Sequence, residues 1–112
     1  MDQRLLDENS EIIDRIARSG ADLTQPRDVD FQFLAADKAV AYSFATAVRR
    51  LGISCRVYPP DTESIEEGDT QWTAECRSHM IPTATSITAT EIQLTSIAAT
   101  HSCTPDGWGF FE

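Results

Sequence analysis

Apolar residues recur at helical spacing near the start of the chain, with Leu5, Ile12 and Ile16 on one stripe and Leu6 and Ile13 beside it. This predicts a helix over Asp7 to Ser19, closed by Gly20 in the left-handed position that L-residues avoid. Such a stripe can cover the chain's own core or meet a second copy. After Pro26 the period changes. In Asp28-Val29-Asp30-Phe31-Gln32-Phe33 every second residue is apolar, as in a strand with one dry and one wet face.

Helical spacing returns in Val40, Phe44, Ala47, Val48 and Leu51, with Asp37 placed to cap the helix and Gly52 to end it. Ile53, Cys55 and Val57 alternate as a second strand up to Pro59-Pro60, and a polar loop turns at Gly68-Asp69. Trp72, Ala74, Cys76 and Met80 mark a third strand that runs to Pro82. In Ile87-Thr88-Ala89-Thr90-Glu91-Ile92 a capping box (Thr88, Glu91) and a hydrophobic staple (Ile87, Ile92) coincide, so a helix is expected to start there. Its dry side is Ile87, Leu94, Ile97, Ala98 and His101. Asp106-Gly107 then turns the chain into a short last strand, Trp108-Gly109-Phe110-Phe111.

The predicted order is a helix followed by β-α-β-β-α-β. This is the ferredoxin-like α+β sandwich, with a four-stranded antiparallel sheet, strands one and three central, and an extra N-terminal helix. Residues 1–27 form the helix and linker and 28–112 the ferredoxin-like part, within a single domain of a size that supports one core.

Composition narrows the uses of such a fold. The net charge of −9 repels phosphate backbones, and the nearest basic group, Arg49-Arg50 with Arg56, reads as a helix end. Direct nucleic-acid binding is not expected. The open face would show Asp28, Asp30 and Gln32 on strand one, and Gln71, Thr73, Glu75 and Arg77 on strand three, where base stacking would need aromatics. Asp61, Glu63, Glu66, Glu67 and Asp69 form an acidic run without a base, suited to solvent or to a basic partner. No apolar run is long enough for a membrane span, Met1-Asp2-Gln3-Arg4 shows no signal-peptide core, and the three cysteines are odd in number and widely spaced. The expectation is a cytoplasmic protein with reduced thiols.

Enzymatic chemistry finds no machinery. The loop Leu34-Ala35-Ala36-Asp37 has no glycine to cradle an anion, and no phosphate-loop, dinucleotide or nucleophile-elbow motif occurs. Cys76, His79, His101 and Cys103 are zinc-ligand types, but Cys76 and His79 would point to opposite faces of a strand. Ser78 and His79 face apart for the same reason, and Glu91 has a capping task. No catalytic residue, cofactor or metal is expected. What stands out is Asp106, Gly107, Trp108, Gly109 and Phe110, where a tryptophan between glycines offers a large amphipathic surface or, equally, an edge-strand packing residue.

With Asp106-Gly107-Trp108-Gly109, Phe111-Glu112 behind it, Glu91-x-x-Leu94 and the βαββαβ order, the chain resembles the bacterial ribonuclease E inhibitor family, the regulators of ribonuclease activity B. In Met80-x-Pro82 and Ile87-Thr88-x-x-Glu91 it is similar to the wider set of small proteins grouped with that family. It departs from that family's pattern in a less acidic N-terminal helix and in ending at Glu112 without a long acidic tail. The resemblance implies a non-catalytic regulator, without cofactor, that binds the endoribonuclease and dampens RNA decay by protein contact. The protein-binding residues expected are Asp106, Gly107, Trp108, Gly109 and Phe110 together with Asp61, Glu63, Glu66 and Glu67, on a monomer or weak homodimer. A small-molecule-sensing domain is the alternative that the fold permits.

Overall fold

The computed structural model describes residues 2–110. The elements follow as α1 (Gln3–Arg18), β1 (Arg27–Ala35), α2 (Lys38–Arg50), β2 (Ser54–Tyr58), α3 (Thr62–Glu66), β3 (Trp72–Met80), α4 (Ala84–Thr100) and β4 (Thr104–Phe110). The strands form one antiparallel sheet in the order β2-β3-β1-β4, which is the ferredoxin-like arrangement with β1 and β3 central.

Alternation along β1 divides the molecule. Val29, Phe31, Phe33 and Ala35 are buried beneath the helices, and the residues between them face the open side. Phe44 of α2 lays its ring against Phe33 at 4.9 Å, and Ala41, Ala45 and Val48 complete the buried stripe of that helix. Leu51, expected on that stripe, is 55% exposed, because it stands past the last helical residue, where the chain turns toward Gly52. Ala74 and Cys76 from β3, with Ile87, Leu94 and Ala98 from α4 and the thiols of Cys55 and Cys103, fill the rest of the core.

Four expectations are corrected at element ends. Helix α1 starts at Gln3 rather than Asp7, since Asp2 accepts from the Leu5 amide at 3.2 Å and caps it one turn earlier. Helix α4 starts at Ala84, and its capping box is Thr83 with Ser86: the Ser86 amide donates to Thr83 Oγ1 and the Thr83 amide to Ser86 Oγ, both at 3.0 Å. Thr88 and Glu91 therefore lie inside the helix, where the same three-residue spacing puts both on the face toward α1. The loop after β2 contains the helix α3, capped by Asp61, which accepts from the Ser64 amide at 2.7 Å. Asp106-Gly107 is no turn ahead of the last strand but part of β4. The register against β1 slips between Phe31 and Phe33, and Gly107, with φ of +102°, absorbs the extra residue. Phe111 and Glu112, read as the end of that strand and motif, lie outside the described residues.

The Thr83 cap offers a modest test. Thr83→Ala removes the acceptor for the Ser86 amide and is expected to cost about 1 kcal/mol in urea unfolding, with the slope of the transition unchanged.

Candidate functional site

The one fully buried residue of α1 is polar. Asn9, 2% exposed, occupies the position between Leu5 and Ile12 on the apolar stripe and faces α4 and β4. Its amide nitrogen donates to Thr88 Oγ1 at 2.9 Å and to Glu91 Oε1 at 2.8 Å, and its oxygen accepts from the Trp108 indole Nε1 at 2.9 Å. The indole can only donate, so this pattern fixes the orientation of the Asn9 amide. One side chain thus ties α1 to both α4 and the last strand, while Ile13 packs against the core nearby.

Trp108 and Phe110 pack in a tilted pair with ring centres 5.6 Å apart, and Arg27 sits over the Phe110 ring at 4.7 Å. Trp108, Gly109 and Phe110 are half-buried, whereas Asp106 and Gly107 are exposed on the bulged edge. Trp108, singled out in the sequence as a surface anchor, commits its indole N–H to Asn9. Glu91 is held above the usual carboxylate range by partial burial, opposed by the hydrogen bond from Asn9 and aided by the nearby Glu8.

A raised folded-state pKa means that the native protein holds the Glu91 proton more tightly than the unfolded chain does. Stability from this group is present at low pH and falls as pH rises through the ordinary carboxylate range to the folded pKa. Glu91→Gln keeps the acceptor for Asn9 and removes the ionisation. Unfolding measured between about pH 4 and pH 7 is expected to show a flatter pH profile for the variant, with no loss at pH 7. A clear loss at pH 7 would mean that the carboxylate charge itself supports the fold.

The acidic residues gather elsewhere. Asp61 caps α3, Glu63 lies in its first turn, and Glu66 and Glu67 end it, all exposed around Ile65, which is itself 54% exposed. The backbone amide and hydroxyl of Ser64 hold Asp61 below the usual carboxylate range, so it stays ionised. Tyr58, 41% exposed, lies at the adjoining end of β2. This segment and the Asp106–Phe110 strip occupy opposite edges of the sheet, with β3 and β1 between them, about 14 Å of sheet width. The structure does not bring the two groups of candidate residues together.

The open face carries cross-strand pairs as the register dictates. Arg77 forks onto Asp30 at 2.8 and 3.2 Å, His79 Nδ1 meets Asp28 at 2.9 Å, and Gln32 donates to Glu75 at 3.3 Å. Its centre is thus self-neutralised rather than a cationic track. Cys76 points into the core and His79 to the open face, and among the described residues no group of three or more His, Cys, Asp or Glu is arranged to hold a metal.

Two sites escaped the sequence reading. Asn9 had a signal, since positions 5, 9, 12 and 16 share one helical stripe and a polar residue there needs a buried partner. Ser43 and His101 had none. They are 58 residues apart, yet Ser43 Oγ lies 2.7 Å from His101 Nδ1 in a shallow hollow of about 410 Å³ lined by Tyr42, Thr46, Ala47 and Arg50. Ser43 sits within α2, whose amides are taken by the helix, so its own backbone offers no free donors to receive an oxyanion.

The architecture is that of a ferredoxin-like α+β sandwich with a helix latched onto it through a buried amide. The family model described as regulator of ribonuclease activity B matches residues 6–110. The chain belongs to the regulator of ribonuclease activity B family. No curated protein sequence matches it.

Proposed function

We propose that this protein is a non-catalytic regulator that binds a ribonuclease E-like endoribonuclease in the cytoplasm and restrains RNA decay by occupying the enzyme's surface, as a monomer or weak homodimer. The family match over residues 6–110 carries this reading. The charge distribution supports it. Five of the carboxylates behind the net charge of −9 stand in the one segment between β2 and β3, without a cation among them.

A basic, flexible stretch of the enzyme fits that segment. Opposite charge speeds encounter and makes association salt-sensitive, while Ile65 and Tyr58 supply apolar contact once the partner arrives. Asp106, Gly107, Trp108, Gly109 and Phe110 form a second strip on the β4 edge, with Trp108 supported from behind by Asn9.

The test is titration of the purified chain against a purified ribonuclease E-like enzyme, with RNA cleavage and calorimetric binding read together. Saturable binding that slows cleavage and weakens with salt is the expected result. Unaltered cleavage and no heat of binding at low salt would overturn the reading. A small-molecule-sensing role has the Tyr42–Arg50–His101 hollow in its favour, and a thermal-shift panel of metabolites tests it.

A further inference from the structure

The family reading leaves the cysteines unused, yet two of them face each other inside the sheet. Cys55 on β2 and Cys76 on β3 are direct cross-strand partners, both point beneath the helices, and their sulfurs lie 3.7 Å apart. Directly opposed residues on antiparallel strands have Cα separations of about 4.5–5.5 Å, inside the range that a disulfide spans. Arg49, in the last turn of α2, donates from Nε and Nη2 to the Cys55 carbonyl at 2.9 and 2.6 Å and so clamps this end of β2 in register. Cys103 is placed otherwise, with its sulfur 3.6 Å from the His101 carbonyl and 4.0 Å from that of Val40.

We propose that Cys55 and Cys76 are a reversible oxidation site, forming an intramolecular disulfide with a peroxide as oxidant. In the first step the Cys55 thiolate attacks one peroxide oxygen. The O–O bond breaks, hydroxide leaves and Cys55 becomes a sulfenic acid. The Cys76 sulfur then displaces the sulfenic hydroxyl, and the Cys76 proton and the departing hydroxyl leave as water. Two thiols and one hydrogen peroxide thus give one disulfide and two waters, the thiols losing the two electrons that the peroxide gains.

The surroundings suit this division of roles. With Cys76 placed as donor to the Cys55 sulfur at 3.7 Å, that bond pushes Cys55 below the ordinary thiol range against the opposing effect of burial, with Arg49 adding to the lowering, while Cys76 is pushed up by donating the bond and by burial. Access comes from the sheet edge. Strand β2 is five residues long and, among the described residues, is an edge strand paired with β3 alone, so local opening of that edge admits an oxidant close to water in size. The bond would close the connection that carries α3 and its acidic residues, tethering both ends of that segment.

The experiment treats the folded full chain with a small molar excess of hydrogen peroxide, then counts thiols after denaturation and maps linked peptides by mass spectrometry. The expected result is loss of two of the three thiols, an intact mass lower by two hydrogens, a peptide joining Cys55 to Cys76, and full reversal by dithiothreitol. Cys103→Ser is expected to behave identically, and Cys76→Ser to carry Cys55 on to sulfinic acid without a link. Three results would overturn the proposal: thiols that survive peroxide able to oxidise free cysteine, an intermolecular dimer in place of the internal link, or irreversible acids on the natural chain.

Discussion

Replacing Asn9 by leucine is expected to lower the unfolding free energy by about 2–4 kcal/mol and to loosen α1 from the sheet. The direction runs against the usual benefit of a leucine on an apolar stripe. Asn9 satisfies three groups at once, Thr88 Oγ1, Glu91 Oε1 and the Trp108 indole N–H. Leucine at this 2%-exposed position leaves the fully buried Thr88 hydroxyl and the half-buried Glu91 carboxylate and Trp108 N–H facing hydrocarbon on that side, and an unpaired buried polar group costs about 1–3 kcal/mol.

Urea unfolding measures the loss. Limited trypsin digestion locates it, since cleavage after Arg15 and Arg18 is expected to accelerate before the core unfolds. Asn9→Asp sharpens the interpretation: it keeps an acceptor for Trp108 but sets a carboxylate against Glu91, so its penalty is expected to grow from about pH 4 to pH 7. An Asn9→Leu protein with natural stability and natural protease resistance would show that the hydrogen-bonded network contributes nothing net.

The second large effect concerns association. Converting Asp61 to Asn and Glu63, Glu66 and Glu67 to Gln is expected to weaken ribonuclease binding by roughly 10- to 100-fold at low ionic strength, with little change in the free protein's stability. Asparagine still caps α3, and exposed carboxylates lose little when neutralised, so fold and binding are separable here. The deficit should come mainly from the association rate and shrink toward one as salt rises, because a Debye length of about 8–10 Å at physiological salt screens exposed charge. Equal affinities for the two proteins at low salt would move the contact away from α3, leaving the β4 edge as the surface to probe.

The element order apart from α3, the strand alternation and the resemblance to the ribonuclease regulators were legible because they are local. Val29, Phe31 and Phe33 face the core whatever surrounds them, since a strand's side chains alternate by geometry. Asp37 caps α2 for the same kind of reason, its carboxylate needing only the amide three residues on. The polar character of the open face also followed from β1 and β3 being central, which put Asp30 opposite Arg77.

Where two local solutions compete, local reading chooses poorly. Thr88 and Glu91 have capping-box spacing, but Thr83 and Ser86 satisfy the same need one residue after Pro82, and Asn9 then claims the later pair. The same holds for Trp108, whose indole reaches a residue 99 positions away, and for the Cys55–Cys76 and Ser43–His101 contacts. Sequence by itself determined the four strands and the three longer helices, though not α3, and which side of each is dry, because backbone period and hydrophobicity act within a turn or two. Tertiary structure alone decided what the few polar residues on those dry sides are for, because a hydrogen bond or a thiol contact acts over a few ångströms of space and carries no signature along the chain.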